Sequence, residues 1–105
     1  MIKILIADDH AVVRQGLKQI ITDQPDMRVC GEAENSAEIL RLVRAEICDV
    51  IVLDITMPGG KSGLDLLPEI KELQPSVKIL ILSMHAEEQI AVRALKSGAS
   101  GYITK

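Results

Sequence analysis

The stretch Val50-Ile51-Val52-Leu53-Asp54, followed by Met57-Pro58-Gly59-Gly60-Lys61-Ser62-Gly63, decides the fold. From Val50 to Leu53 the run is apolar throughout, without the polar alternation of a half-solvated strand, so both of its faces are buried. A strand of that kind belongs to a parallel sheet covered by helices on both sides. It ends at a carboxylate, and the Pro- and Gly-rich segment beyond turns the chain away from the place where Asp54 stands.

The same alternation continues outward in both directions. Lys3 to Ala7 is a short Ile-rich run that ends at Asp8 and Asp9, and it reads as a buried strand. Val12, Val13, Leu17, Ile20 and Ile21 fall on one helical face, with Pro25 as the stop. Arg28 to Ala33 reads as a second strand. Asn35 or Ser36 caps a second helix carrying Ile39, Leu40 and Val43, with Glu38 placed for a capping box. After Asp54, a third helix from about Leu64 to Gln74 turns Leu66, Leu67, Ile70 and Leu73 inward and stops before Pro75. Pro68 sits awkwardly inside it and implies a late start or a kink. Ile79 to Leu82 is a fourth strand. Glu87 to Ser97 is a fourth helix with Ile90, Ala91, Ala94 and Leu95 on one face and Gly98 as its C′ residue. Tyr102 to Thr104 begins a fifth strand. The expected fold is therefore α/β, a five-stranded parallel sheet with helices on both faces. Right-handed crossovers leave the flavodoxin-like order 2-1-3-4-5 as the expected topology.

Composition narrows the function. With 105 residues and 48 % apolar content, the chain makes one domain with a real core, and disorder is excluded. Tyr102 is the only aromatic residue, so the core is built from Ile, Leu, Val, Ala and Met. A net charge of -3, with the 12 basic residues scattered, argues against nucleic-acid binding by this chain. No apolar run is long enough to span a membrane or to serve as a signal peptide, and a cytoplasmic protein is expected. Cys30 and Cys48, far apart in sequence and outside any CxxC, read as two buried free thiols.

The strand ends carry the chemistry. Asp8 and Asp9 end the first strand, Asp54 the third, Ser83 the fourth, and Lys105 the fifth. In the expected order, strands one and three flank the point where strand order reverses, which is where ligands bind in open α/β sheets. Three carboxylates brought together there repel unless a cation intervenes, and a hard cation with oxygen ligands, Mg²⁺, resolves the conflict. An aspartate can attack phosphorus to give an aspartyl phosphate, with Mg²⁺ and Lys105 as counter-charges and Ser83 as a hydrogen-bond donor. Ser83 is also placed to cap the fourth helix. His10, beside the acidic pair, reads as a surface or capping residue because Mg²⁺ prefers oxygen.

Taken together, Asp8-Asp9, Leu53-Asp54-Ile55-Thr56-Met57-Pro58-Gly59, Ser83 and Lys105 resemble the signature of response-regulator receiver (CheY-like) domains. Asp8 through Leu17, Gly31-Glu32-Ala33, Leu82-Ser83-Met84-His85 and Gly101-Tyr102-Ile103-Thr104-Lys105 resemble the NarL/FixJ subfamily, and the resemblance covers the whole chain. It implies that Asp54 accepts a phosphoryl group from the phosphohistidine of a partner histidine kinase, switching a transcriptional output. Asp9, Asp54 and the backbone carbonyl of Thr56 would ligate Mg²⁺, and Asp8 would reach it through water. Lys105 would contact a phosphoryl oxygen, and Ser83 and Tyr102 would be the coupled switch pair. Thr56, Met84 and His85 would tune dephosphorylation.

Such a domain catalyses only its own phosphorylation and dephosphorylation. Against a phosphohydrolase of the haloacid-dehalogenase type stands Thr56, where those enzymes place a second Asp. A pure interaction module that no longer takes phosphate is a third reading. Residues 1–105 are expected to form a receiver domain truncated after the fifth strand, without the fifth helix and without the helix-turn-helix output domain of its relatives. Self-association, including a homodimer, is expected through the sheet face such a helix would cover.

Overall fold

The computed structural model describes residues 1–55, 63–83, 88–96 and 98–104. Five strands, β1 (Ile2–Ala7), β2 (Met27–Ala33), β3 (Val50–Asp54), β4 (Lys78–Ser83) and β5 (Gly101–Thr104), alternate with four helices, α1 (Ala11–Thr22), α2 (Ser36–Ala45), α3 (Gly63–Leu73) and α4 (Glu88–Lys96). The sheet is parallel throughout in the order β2-β1-β3-β4-β5, as expected. β3 lies at its centre, with Leu5 opposite Ile51 on one side and Ile51 opposite Ile79 on the other. Being central, and covered on both faces, β3 needs apolar side chains at successive positions, which explains the run that first marked it.

One face of the sheet builds the larger core from Leu5, Ile51, Leu53, Ile79 and Ile81, closed by Ile39 and Val43 of α2, Leu64, Leu66, Leu67 and Ile70 of α3, and Ala94 of α4. The opposite face joins Ile4, Ile6, Val52 and Leu82 to Ile21, Val13 and Leu17 of α1. Two details fix the helices on the larger face. Asn35 caps α2, its side chain accepting from the Glu38 N–H at 2.9 Å. Gly98, at φ +114°, ends the segment after α4, with its N–H on the Leu95 carbonyl and the Ala99 N–H on the Ala94 carbonyl, the paired bonds of a Schellman close.

The structure corrects several details of the sequence reading. Val12 and Ile20 do not face the core: they are 85 % and 63 % exposed. At 100° per residue, Arg14, Leu17, Lys18 and Ile21 form the flank that meets β2, and Val12 lies on the opposite side. Leu73, the last residue of α3, is 42 % exposed, and it lines a cleft beside Ile47. Leu95 is half exposed, and Ala94 takes the core contact instead. Pro68 delays nothing: α3 starts at Gly63 and carries Pro68 on its exposed side. The thiols also differ from the reading, since Cys48 is buried but Cys30 only partly so.

Candidate metal and phosphoryl-acceptor site

The site forms where β1 and β3 end side by side. Asp8 follows the last residue of β1 and is tied to the next strand by its N–H, which donates to the Ala33 carbonyl at 3.0 Å. Asp54 is the last residue of β3, and the Ile55 N–H after it donates to the Leu82 carbonyl at 3.3 Å. Because β2 lies on one side of β1 and β3 on the other, the connections leaving β1 and β3 cross to opposite sides of the sheet and open a crevice at their carboxyl ends.

Asp8, Asp9 and Asp54 meet there, with His10, and their ligand atoms lie within 4.8 Å of one another. Asp8 and Asp54 are buried, at 1 % and 0 % exposure, while the Asp9 side chain is 31 % exposed. Ser83 is fully buried at the end of β4, one residue beyond Leu82, the partner of Asp54. Tyr102 on β5 is half-buried against the larger core. The expectations placed on Thr56, Met84, His85 and Lys105 lie outside the described residues.

Two residues at the site went beyond the sequence reading. His10 does stand at the N-cap of α1, but its side chain makes no capping bond. Its Nδ1 instead lies 2.9 Å from Asp8 Oδ1, 3.2 Å from Asp9 Oδ1 and 3.6 Å from Asp54 Oδ2. The His10 N–H also donates to Asp8 Oδ1 at 2.8 Å, which fixes the rotamer of that carboxylate. The imidazole therefore sits among the carboxylates as a hydrogen-bond donor. Arg14, one turn into α1, donates from Nη1 to the Asp8 carbonyl at 2.7 Å and pairs with Glu32 at 3.4 Å and Glu34 at 3.2 Å. It staples the end of β1 to the end of β2 and turns α1 toward β2. The role of Arg14 is not read from periodicity, since its partners Glu32 and Glu34 are remote in the chain and set by strand order.

The donor set fits a hard divalent ion. Each aspartate offers carboxylate oxygen, two of the three are buried, and a buried carboxylate cluster is stabilised by a cation of this class far more than by water. Receiver domains bind Mg²⁺ at an acidic pocket of this kind.

Comparison with known proteins agrees with the geometry. The response regulator receiver domain family matches residues 4–105. The oxygen regulatory protein NreC of Staphylococcus epidermidis is 48 % identical over 103 residues, covering 98 % of this chain and 47 % of that protein. The chain thus spans about half the length of the curated relatives it matches. Among solved structures, a LuxR-family two-component response regulator from Aurantimonas sp. SI85-9A1 superposes with a TM-score of 0.91 at 37 % identity, covering 98 % of this chain and 73 % of that one. A response regulator from Burkholderia pseudomallei, solved with a phosphorylated aspartic acid, a calcium ion and citrate, superposes with a TM-score of 0.88 at 33 % identity, covering 100 % of this chain and 60 % of that one. The crevice, the carboxylates and these relatives together place the chain in the response regulator receiver domain family, in its NarL/FixJ subfamily.

Proposed function

We propose that Asp54 is the phosphoacceptor of this receiver domain and that its modification requires Mg²⁺. The observation that carries this reading is the meeting of Asp8, Asp9 and Asp54 within 4.8 Å at the β1–β3 crevice. Asp54 closes the most buried strand, so its carboxylate is fixed in direction and desolvated, as an in-line attack on phosphorus requires. One Asp54 oxygen forms the bond to phosphorus while the bond from phosphorus to the donor nitrogen of a kinase phosphohistidine breaks. When bound, Mg²⁺ supplies counter-charge to the phosphoryl oxygens.

Asp9, Asp54 and the Thr56 carbonyl are proposed as direct ligands and Asp8 as a ligand through water. Asp8 is oriented by the His10 N–H and by a backbone that Arg14 holds. Ser83, at the end of β4, is proposed to donate to the phosphoryl group and to couple it to Tyr102. Lys105 as a phosphoryl contact, and Thr56, Met84 and His85 as tuners of hydrolysis, rest on the family resemblance alone.

The domain acts in this reading as a switch that turns over only its own phosphate. The partner histidine kinase, self-association of the chain, a DNA-binding output in the rest of the full-length relatives and a cytoplasmic setting belong to the same proposal. Among the described residues, no helix is long and apolar enough to cross a membrane.

The test is intact mass after incubation with acetyl phosphate, with and without Mg²⁺, for the wild type and Asp54→Asn. A single phosphoryl adduct that needs both Mg²⁺ and Asp54 is expected. An adduct that persists in Asp54→Asn at the same yield refutes the assignment.

A further inference from the structure

We propose that Cys30 and Cys48 are an oxidation site, a thiol pair placed to close reversibly into a disulfide that ties β2 to the segment entering β3. Their sulfurs stand 3.4 Å apart. A disulfide needs about 2.05 Å, so closure asks for a movement of somewhat over 1 Å. The fold supplies that freedom on one side. Among the described residues β2 is an edge strand, paired with β1 alone. The β1–β2 register also slips at this point: Ile4 pairs with Val29 and Leu5 with Gly31, which leaves Cys30 as the extra residue of a bulge. A bulge re-aims its side chain and loosens the ladder locally.

The other side is held. The Cys48 N–H donates to Gln74 Oε1 at 3.0 Å, and Gln74 Nε2 donates to the Val43 and Glu46 carbonyls, each at 2.7 Å. Cys48 also lines an open cavity of about 310 Å³ beside Ile47 and Leu73, where the chain enters β3 and β4. Small oxidants and reductants reach the pair through that opening or across the partly exposed Cys30.

The chemistry balances with a peroxide as the oxidant. The Cys30 sulfur, the more exposed, attacks one peroxide oxygen, the O–O bond breaks, and water leaves, giving a sulfenic acid. The Cys48 sulfur then attacks the Cys30 sulfur, the S–O bond breaks, and a second water carries away the Cys48 proton. Burial and the neighbouring Cys30 push the Cys48 thiol up to about 12, which leaves it little thiolate, so the first attack on peroxide falls to the more exposed Cys30. Two thiols are oxidised and one peroxide is reduced. The loop so closed contains the whole of α2, and neither thiol is a member of the Asp8, Asp9 and Asp54 cluster, so the oxidation is read without phosphorylating Asp54.

The experiment treats the folded chain with hydrogen peroxide, alkylates with iodoacetamide, and reads the intact mass. Wild type is expected to lose two hydrogen masses and both alkyl labels, with recovery of both in dithiothreitol. Tryptic digestion is expected to join the peptide 29–41 to the peptide 45–61. Cys30→Ser and Cys48→Ser should each yield an oxygen adduct or a labelled thiol instead. The cross-link should form about tenfold or more faster in the native chain than in urea, because folding supplies the proximity. Two alkylatable thiols after treatment, oxygen adducts without the linked peptides, dimers joined between chains, or equal rates in urea would each overturn the proposal.

Discussion

Gly63→Ala should destabilise the domain and impair the site, although it replaces a poor helix former with the best one. A Cβ at Gly63 would lie 2.7 Å from Ile55 Cα and 2.8 Å from the Asp54 carbonyl oxygen. Ordinary contact begins near 3.5 Å, so α3 and the end of β3 must separate by about 1 Å. Neither side yields easily. The Gly63 N–H is bonded to the Ile55 carbonyl at 3.0 Å, and the Ile55 N–H is bonded to β4. Overpacking of this kind costs about 1–3 kcal/mol, and the gain in helix propensity returns at most about 1 kcal/mol, so a net loss of roughly 1–2 kcal/mol is expected. Gly16 gives the matched control. It lies inside α1 with nothing within 4 Å of the added methyl, so Gly16→Ala should stabilise by about 0.5–1 kcal/mol. The same chemical change thus carries opposite signs at two helical positions. Urea unfolding followed by circular dichroism measures both. Because the displaced atoms are Asp54 and Ile55 themselves, Gly63→Ala should also slow Mg²⁺-dependent modification by acetyl phosphate while Gly16→Ala leaves it unchanged. A Gly63→Ala variant as stable as Gly16→Ala, phosphorylated at the wild-type rate, would show that α3 does not press on the phosphoacceptor strand.

Gln74→Ala removes three hydrogen bonds to backbone groups at the end of α2 and the start of the β3 segment, and should cost about 2–4 kcal/mol in the same unfolding assay, more than a typical single surface change. Mg²⁺ should raise the unfolding free energy of the wild type, by about 2.7 kcal/mol at a hundredfold excess over its Kd, and Asp9→Asn should lose most of that gain; equal gains in both would remove Asp9 from the ligand set. Stability should fall as pH rises from 9 toward 12. The Cys48 thiol is held up to about 12 from its ordinary 9.0, so in that window the unfolded chain has released a proton that the folded chain retains. Its contribution is complete below pH 9 and lost through the interval, and Cys48→Ala should flatten that part of the pH–stability curve.

What the sequence discloses here is what periodicity and strand ends encode. The apolar run Val50–Leu53 needs no neighbour to be read, because a strand buried on both faces must be apolar at every position. Asp8, Asp9 and Asp54 were legible for a related reason: each stands where an apolar run stops, and strand order alone then brings β1 and β3 together. Gly98 was legible from the end of a helical pattern, and its positive φ follows. The misreadings share the opposite character. Helical periodicity gives α1 an apolar side containing Val12 and Ile20, but the rotation of α1 is decided by Arg14 and its bonds to Asp8, Glu32 and Glu34 on other elements. Leu73 has the right phase to face inward, but as the last residue of α3 it stands 42 % exposed beside Ile47.

The two cysteines show most sharply where a one-dimensional reading stops. Their separation in sequence argues that they are unrelated, and an ordinary β2 ladder gives no reason to revise that. The inserted residue at Cys30 changes the side-chain alternation of β2, since its period of two must shift at an extra residue. Ala33 and Cys30, an odd number of positions apart, both turn to the face that holds Cys48. A strand without the slip would send one of them to the α1 side. The slip brings Ala33 level with Ala7, and so sets the Ala33 carbonyl to receive the Asp8 N–H, while Cys30 at the bulge keeps the face that holds Cys48. One irregularity in an edge strand therefore touches both features: it helps position the first carboxylate of the pocket, and it leaves the thiol facing Cys48 on the locally loosened residue of the strand.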